Sequence, residues 1–419
     1  MAADWIEHCI WWHVYPLGFA GAPIRDRSAG DGPAPGDGLR RLVRWLDHAV
    51  RLGVNGLLLG PVFAAETHGY DTLDHFRIDE RLGTDEDFDA LVRACRERGL
   101  RVVLDGVFNH VGAGHPAAIA APATAGDGRP DAGGWLRRAA DGRPVPFEGH
   151  DGLLTLDHDS PAVADHTVRV LDHWLHRGVD GWRLDAAYAV PPAFWAHVLP
   201  RVREQYPDAW FVGEVIHGDY ADLARRSGID SVTQYELWKA IWSSLADRNF
   251  FELDWALQRH ADLLDRLLPQ TFVGNHDVTR IASRVGPQAA ELALAVLMTV
   301  GGIPSVYYGD EWGRTGVKED RLGGDDAVRP AFPAAPAEPA DAGQARLLRV
   351  HQDLIGLRRR HPWLVRARTR ALELGNTRYR YEARSADGGQ HLVVELDVTG
   401  RPTVRITDAA GATVFDSPR

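Results

Sequence analysis

The sequence predicts an α/β protein whose eight parallel strands close into a barrel, and three observations carry that prediction. Short runs rich in Val, Ile, Leu and aromatic residues recur along the chain, each followed by a segment of helical period, which is the alternation of a parallel sheet. The runs lack the polar alternation of a half-solvated strand, so both of their faces are buried. Where polar residues do interrupt them, they do so at the C-terminal ends, the end of a barrel at which chemistry gathers.

The strand runs fall at residues 10–15, 56–59, 102–105, 181–185, 210–214, 231–235, 271–274 and 305–308. Eight buried strands, each covered by a helix, specify a (β/α)8 TIM barrel before an open sheet. The helices carry their own punctuation. Leu39, Leu42, Val43, Leu46 and Val50 share one face of a 3.6-residue period, and Gly53 stops that helix. Thr84-Asp85-Glu86-Asp87 forms a capping box before Phe88, Leu91, Val92 and Cys95. Ser160-Pro161 supplies an N-cap and a proline at the first helical position, and Gly178 ends the helix. His166, His173 and His176 recur at helical spacing in it. With no Cys or acidic residue at ligand spacing, they read as exposed helix histidines and not as a zinc site.

The longest uncharged stretch, residues 292–308, is shorter than the roughly 20 residues a spanning helix needs. Gly301-Gly302-Ile303-Pro304 interrupts it, so it reads as a buried helix followed by a buried strand. Trp11-Trp12 and Tyr307-Tyr308 read as barrel core, with one of each pair facing inward near the mouth.

Between the third and fourth strands, residues 111–180 make 70 positions, too many for a loop with one helix, and imply a small inserted subdomain. Beyond the helix ending near Arg360, Gly389-Gln390-His391-Leu392-Val393-Val394-Glu395-Leu396 alternates in period two and reads as a short C-terminal β domain. The expected division is a catalytic barrel over 1–110 and 153–361, an insert over 111–152 and the β domain over 362–419. Gly/Pro/Asp-rich segments 21–38, 112–152 and 318–342 follow strands and precede helices, so they gather at one mouth.

With 419 residues, 45% hydrophobic and 25% charged, the chain can bury one large core plus an accessory domain. A net charge of -11 repels phosphates and anionic headgroups, which argues against nucleic acid and membrane surfaces as partners. A neutral substrate suits it. The two cysteines, Cys9 and Cys95, occupy apolar positions and read as buried thiols of a reducing compartment. The first residues carry acids where a secretory signal carries positive charge, so a cytoplasmic location is expected. No feature specifies an oligomeric state.

The chemistry lies in four strand ends: Val102-Val103-Leu104-Asp105 leading to Asn109-His110, Trp182-Arg183-Leu184-Asp185, Phe211-Val212-Gly213-Glu214, and Phe272-Val273-Gly274-Asn275-His276-Asp277. Residues i and i+2 share a strand face, so Arg183 and Asp185 point together into the mouth while Trp182 and Leu184 face the helices. The adjacent guanidinium is expected to keep Asp185 ionised, as a carboxylate nucleophile requires. Glu214 has no neighbouring cation in sequence, and nearby carboxylates are expected to hold its proton near neutral pH, as a general acid requires. For Asp105 and Asn109 the expected role is structural, joining the third strand to the insert.

In order, Leu104-Asp105-Gly106-Val107-Phe108-Asn109-His110, Gly181-Trp182-Arg183-Leu184-Asp185-Ala186-Ala187, Gly213-Glu214-Val215 and Phe272-Val273-Gly274-Asn275-His276-Asp277 resemble the four motifs of the α-amylase family, glycoside hydrolase family 13. Gly53-Val54-Asn55-Gly56-Leu57-Leu58-Leu59-Gly60-Pro61-Val62, His68-Gly69-Tyr70-Asp71 and Gly302-Ile303-Pro304-Ser305-Val306-Tyr307-Tyr308-Gly309-Asp310-Glu311 look like further family segments. The resemblance implies Asp185 as nucleophile, Glu214 as general acid/base and Asp277 as a third carboxylate gripping sugar hydroxyls. It also implies substrate contacts from Tyr70, His110, Arg183 and His276, with Asp326 and Arg329 one sugar further in. Trp135, Trp238 and Trp312 are further subsite candidates. In some relatives the residue matching Asn109 binds calcium, but no EF-hand-like run of spaced acids occurs here, so no metal or other cofactor is expected.

The resemblance implies a retaining hydrolase of α-1,4-linked gluco-oligosaccharides such as maltodextrins. The alternatives are an α-glucosyl transglycosylase or isomerase on short α-glucosides of other linkage, and a barrel that only binds sugar. The sequence departs from the family at Tyr188-Ala189, where many endo-acting amylases carry Lys-His, and at Leu153-Leu154-Thr155-Leu156-Asp157. Both departures lie where leaving-group specificity is set.

Overall fold

In the computed structural model, residues 4–25, 36–120 and 134–417 are described. Eight parallel strands, Trp11–Val14, Gly56–Leu59, Arg101–Gly106, Gly181–Leu184, Trp210–Gly213, Ser231–Val232, Gln270–Phe272 and Ile303–Tyr307, follow one another around the sheet. The first pairs with both the second and the eighth, and a parallel bridge between Thr233 and Gln270 joins the sixth to the seventh. The chain is therefore a (β/α)8 barrel, with a five-stranded antiparallel sheet, Arg368–Leu374 through Thr413–Asp416, at its C-terminal end.

The barrel interior is layered. Its floor is apolar: Trp11 stacks on Trp210 at 5.4 Å, among Leu58, Val103, Val212 and Ile303. Trp12 turns outward onto Phe19 and Trp45. Thus one tryptophan of the pair does face inward, but at the floor and not near the mouth. Tyr307 faces His13 inside the barrel, and Tyr308 faces Phe19 and Phe332 outside. Above the floor, polar side chains replace apolar ones, so the mouth is the end at which ionisable groups meet.

Helix signals act where expected, with three corrections. Thr84 and Asp87 form the reciprocal capping box, Gly53 and Gly178 each adopt φ 100°, and Pro161 starts its helix. Val50, however, is 43% exposed, and the buried face of Gly38–Leu52 runs through Leu39, Leu42, Trp45, Leu46 and Ala49. Two full turns at 3.6 residues carry the stripe from Leu42 to Ala49, one position short of Val50. The sixth strand stops at Val232, because Gln234 caps the next helix, its side chain accepting from Leu237 N at 3.4 Å. His166 is buried against His75, Phe76 and Trp135, and of the three helix histidines only His176 is exposed.

Residues 292–308 run through the end of helix Ile281–Thr299 and strand Ile303–Tyr307, both buried. Among the described residues, no helix is long and apolar enough to cross a membrane. Cys9 and Cys95 are buried free thiols.

Two small sheets shape the mouth. A hairpin, Phe63–Ala65 with Thr72–Ile78, which the periodicity did not announce, presents Tyr70 from its connecting turn. His110–Gly112, His150–Thr155 and Pro146–Phe147 form a three-stranded sheet after the third barrel strand. Parts of the expected mouth segments, 26–35 and 121–133, lie outside the described residues, as do 1–3 and 418–419.

Candidate active site

Barrel register brings the strand-end carboxylates together. Arg183 on the fourth strand lies level with Asp105 on the third and Val212 on the fifth, so Asp185 and Glu214 follow side by side. Main-chain bonds extend past the strands: Asp185 N donates to Gly106 O at 3.0 Å and Glu214 N to Leu184 O at 2.9 Å. Both side chains thus project from fixed backbone, which a reactive constellation requires.

The Arg183 guanidinium is the hub. Its Nη1 lies 2.6 Å from Asp105 Oδ2 and 3.2 Å from Asp185 Oδ1, and its Nη2 lies 2.7 Å from Glu214 Oε1. This overturns the expectation that Asp185 alone has an adjacent cation. Sequence neighbours along one strand are visible to pattern reading, but the cross-strand neighbour is not, and here it takes the shorter contact. Asp105 likewise serves as a fully buried charge partner of Arg183 inside the barrel, and does not simply join the insert. Burial and then the Glu214 charge push the Asp185 carboxyl well above the usual carboxylate range. Arg183 opposes them, while Asp105 and Asp277 add to the rise. Arg183 lowers the Asp185 carboxyl less than burial and Glu214 raise it, and its fork is shared with Asp105 and Glu214.

Glu214 receives two further donors: Ala186 N at 3.0 Å to Oε2 and the Tyr235 hydroxyl at 3.3 Å to Oε1. Ala186, the residue whose N–H meets Glu214, adopts φ 45°, a left-handed conformation rare for residues with a Cβ. Asn275 Nδ2 donates to the Tyr235 hydroxyl at 2.9 Å and Asn275 Oδ1 accepts from Asp277 N at 2.9 Å, linking the fifth and seventh strand ends. Tyr235 closed the expected sixth strand but was not singled out, and the structure has it open helix Tyr235–Ala246 instead. Gly274 in that motif leaves room for the same layer, since a Cβ there would stand 2.8 Å from Asp310 Oδ2.

Asp277 sits between an imidazole and a guanidinium. His276 Nε2 lies 2.9 Å from its Oδ2 and Arg329 Nη2 lies 3.0 Å from its Oδ1. Burial pushes the Asp277 carboxyl up, but His276, Arg329 and Arg183 outweigh it and hold the group well below the usual carboxylate range. Its side chain is nevertheless 30% exposed, so a bound molecule can reach it.

The Tyr70 hydroxyl contacts Asp105 Oδ2 at 3.1 Å and His276 Nε2, and its ring lies parallel to His276 at 5.3 Å. His110 Nε2 meets Tyr70 O at 3.0 Å, and burial lowers the His110 pKa to about 4, so its imidazole is neutral at pH 7. The expected group Asp185, Glu214, Asp277, Tyr70, Arg183 and His276 is one contact network, with His110 beside it and Arg329 bound to Asp277. Asp326 stands apart: it is 53% exposed and pairs with Arg25 at 2.6 Å, whereas its neighbour Asp325 contacts Arg329 at 3.3 Å. Trp312 is buried against Trp45 and His48, Trp135 packs on His115 and His166, and Trp238 packs on Tyr235 and Phe272. The Asn109 main-chain carbonyl accepts from Leu156 N at 3.0 Å, just past the expected insert, and its side chain meets His110 Nδ1 at 3.1 Å. Among the described residues, no group of three or more His, Cys, Asp or Glu side chains is placed to hold a metal ion.

Three carboxylates, two histidines and an arginine thus converge at the C-terminal ends of the barrel strands, the face at which active sites of this fold lie. The chain belongs to the α-amylase family: residues 14–125 and 147–341 match the family described as alpha amylase, catalytic domain. It is 30% identical over 348 residues to a cyclomaltodextrinase from a Bacillus species, covering 74% of this chain and 60% of that protein. It is 28% identical to the intracellular maltogenic amylase of Bacillus subtilis, over 75% of this chain and 57% of that one. The chain therefore spans about 60% of the length of these curated relatives. Among solved structures, the ligand-free cyclic α-maltosyl-(1→6)-maltose hydrolase of Arthrobacter globiformis superposes with a TM-score of 0.79 at 28% identity, covering 99% of both chains.

Proposed function

We propose that this chain is a retaining α-glycoside hydrolase of α-1,4-linked gluco-oligosaccharides, working by double displacement. The carrying observation is that one guanidinium, Arg183, holds both Asp185 and Glu214. Carboxyls roughly 5 to 5.5 Å apart support double displacement, whereas roughly 6.5 to 9.5 Å leaves room for an inverting water, and a shared fork favours the closer class. Asp277, held ionised beside an exposed opening, suits a grip on sugar hydroxyls.

In the first step the Asp185 carboxylate attacks the anomeric carbon, and the glycosidic C–O bond breaks as Glu214 gives its proton to the departing oxygen. The product is a glucosyl ester of Asp185. Water, deprotonated by Glu214, then attacks the same carbon, and the ester C–O bond returns its electron pair to Asp185. A sugar hydroxyl in place of water gives transfer, so hydrolysis and transglycosylation share the first step. Attack requires Asp185 ionised and departure of the leaving oxygen requires a proton on Glu214, while burial and the Glu214 charge raise the Asp185 carboxyl. The two carboxyls therefore act as a coupled pair.

Relatives named cyclomaltodextrinase and maltogenic amylase support maltodextrins as the substrate class. A second reading is cleavage of short α-1,6-containing or cyclic α-glucosides by the same residues, favoured by the end-to-end match to the Arthrobacter hydrolase. Residence inside the cell belongs to the same proposal, supported by the intracellular Bacillus relative and the two buried thiols. Incubation with maltotriose, isomaltose and cyclodextrin, with NMR of the first product, tests the reading. Initial release of the α-anomer from maltotriose is expected; initial β-anomer, or no turnover of any of the three, contradicts it.

A further inference from the structure

The inserted sheet sends one hairpin tip across the mouth. Phe147 and His150 close a two-residue turn of Glu148 and Gly149, which have φ 50° and 79°. Positive φ at both central positions is the geometry of a tight hairpin turn that favours Asn-Gly or Asp-Gly, and glutamate is an unusual first residue for it. The tip is anchored on two sides of the site. Phe147 stacks on His110 at 4.7 Å and 14°, and His110 bonds the Tyr70 carbonyl. On the other side, Glu148 Oε1 accepts from the Tyr188 hydroxyl at 2.8 Å. Tyr188 stands three residues after Asp185; its backbone N–H donates to the Glu214 carbonyl at 3.2 Å and its ring packs on His217 at 5.6 Å.

We infer that the Glu148–Tyr188 hydrogen bond is a latch that closes the leaving-group end of the cleft, so that the site takes short oligosaccharides and rejects long glucan chains. The inference rests on the glycosidase reading in one respect: Glu214 marks the leaving-group side because it protonates the departing oxygen. Two features place the latch there. Tyr188 is bonded to the main chain of Glu214, and the insert reaches it through the side chain of Glu148, whose backbone holds a positive φ. Without the tyrosine hydroxyl the Glu148 side chain loses this anchor, and the hairpin pairing and the Phe147 stacking are left to hold the tip. An open tip leaves the cleft free for additional sugar units beyond Glu214.

The test uses Tyr188→Phe, which keeps the ring and removes the hydroxyl, Glu148→Gly, which suits positive φ and removes the acceptor, and Glu148→Gln, which keeps an acceptor oxygen. For each, kcat/KM is measured on maltotriose and on long linear amylose, and amide hydrogen exchange is followed over residues 146–151. Tyr188→Phe and Glu148→Gly are expected to raise the amylose-to-maltotriose ratio by about 10-fold, with Glu148→Gln nearer the parent chain. Exchange at the tip is expected to quicken in the first two variants. An unchanged ratio, or equal loss on both substrates, overturns the assignment of length selectivity to the pair. Unchanged exchange overturns the latch itself. If the parent chain turns over no α-glucan, the glycosidase reading fails and the exchange measurement still decides whether the latch exists.

Discussion

Arg183 Nη2 lies 2.7 Å from Glu214 Oε1, closer than the 3.2 Å between Arg183 Nη1 and Asp185 Oδ1, although Asp185 is the residue two positions along the same strand. The guanidinium is shared among Asp105, Asp185 and Glu214, and the site's electrostatics follow from that sharing.

Removing the hub leaves buried carboxylates without their cation. Arg183→Met is expected to cost about 3 to 5 kcal/mol of stability, the range for breaking a buried ion pair from one side. Arg183→Lys keeps the charge but cannot span three carboxylates, and should retain more stability while losing kcat/KM on the order of 10²-fold. Urea unfolding and steady-state kinetics check both, and a Met variant as stable as the parent would count against the hub.

Asp185→Asn should abolish turnover, by on the order of 10⁴-fold or more, without loss of stability. Its folded pKa lies above the unfolded value of about 3.9, so the fold holds this proton more tightly than the unfolded chain. Stability is therefore lost as pH rises from the unfolded value through the folded one. The neutral amide removes that loss, and the variant should be at least as stable as the parent at pH 7. Thermal unfolding at pH 4 and pH 7 reads the difference.

A feature with the opposite pH dependence lies beside the insert. His75, His115 and His166 meet where the hairpin, the insert and helix Pro161–His176 pack together, with Trp135 against two of them. Burial lowers His115 to about 4 and His166 to about 3, and it lowers His75 as well. Below an unfolded value of about 6.5, the unfolded chain binds protons that the folded chain refuses, so stability falls as pH drops from there toward the folded values. His166→Leu should flatten this slope. Equal slopes in parent and variant would exclude the cluster as its source.

Tyr235→Phe withdraws one donor from Glu214 and strands Asn275 Nδ2. A loss of about 10-fold in kcat/KM is expected, the size of one hydrogen bond to a charged group. Unaltered kinetics would reduce Tyr235 to packing.

The fold was legible because its signals are local: apolar runs, caps and glycine stops lie within a few residues of one another. The Arg183 and Asp185 pairing was legible for the same reason, as i and i+2 on one strand. The reach of Arg183 to Glu214 was not, since it depends on the register between two neighbouring strands, which sets Arg183 level with Val212 and so beside Glu214. Asp325 and Asp326 are adjacent acids, and only the course of the turn Asp326–Val328 decides which of them meets Arg329. His166 read as exposed because its helix spacing says nothing of Trp135, which reaches it from the insert.

The central claim is that Asp185 becomes glycosylated. A fluorinated glucosyl fluoride that forms the ester but releases it slowly should add one sugar mass to the intact chain, and peptide mapping should place it on Asp185. A label on Glu214 or Asp277, or turnover of maltotriose with no label on any carboxylate, would contradict the account.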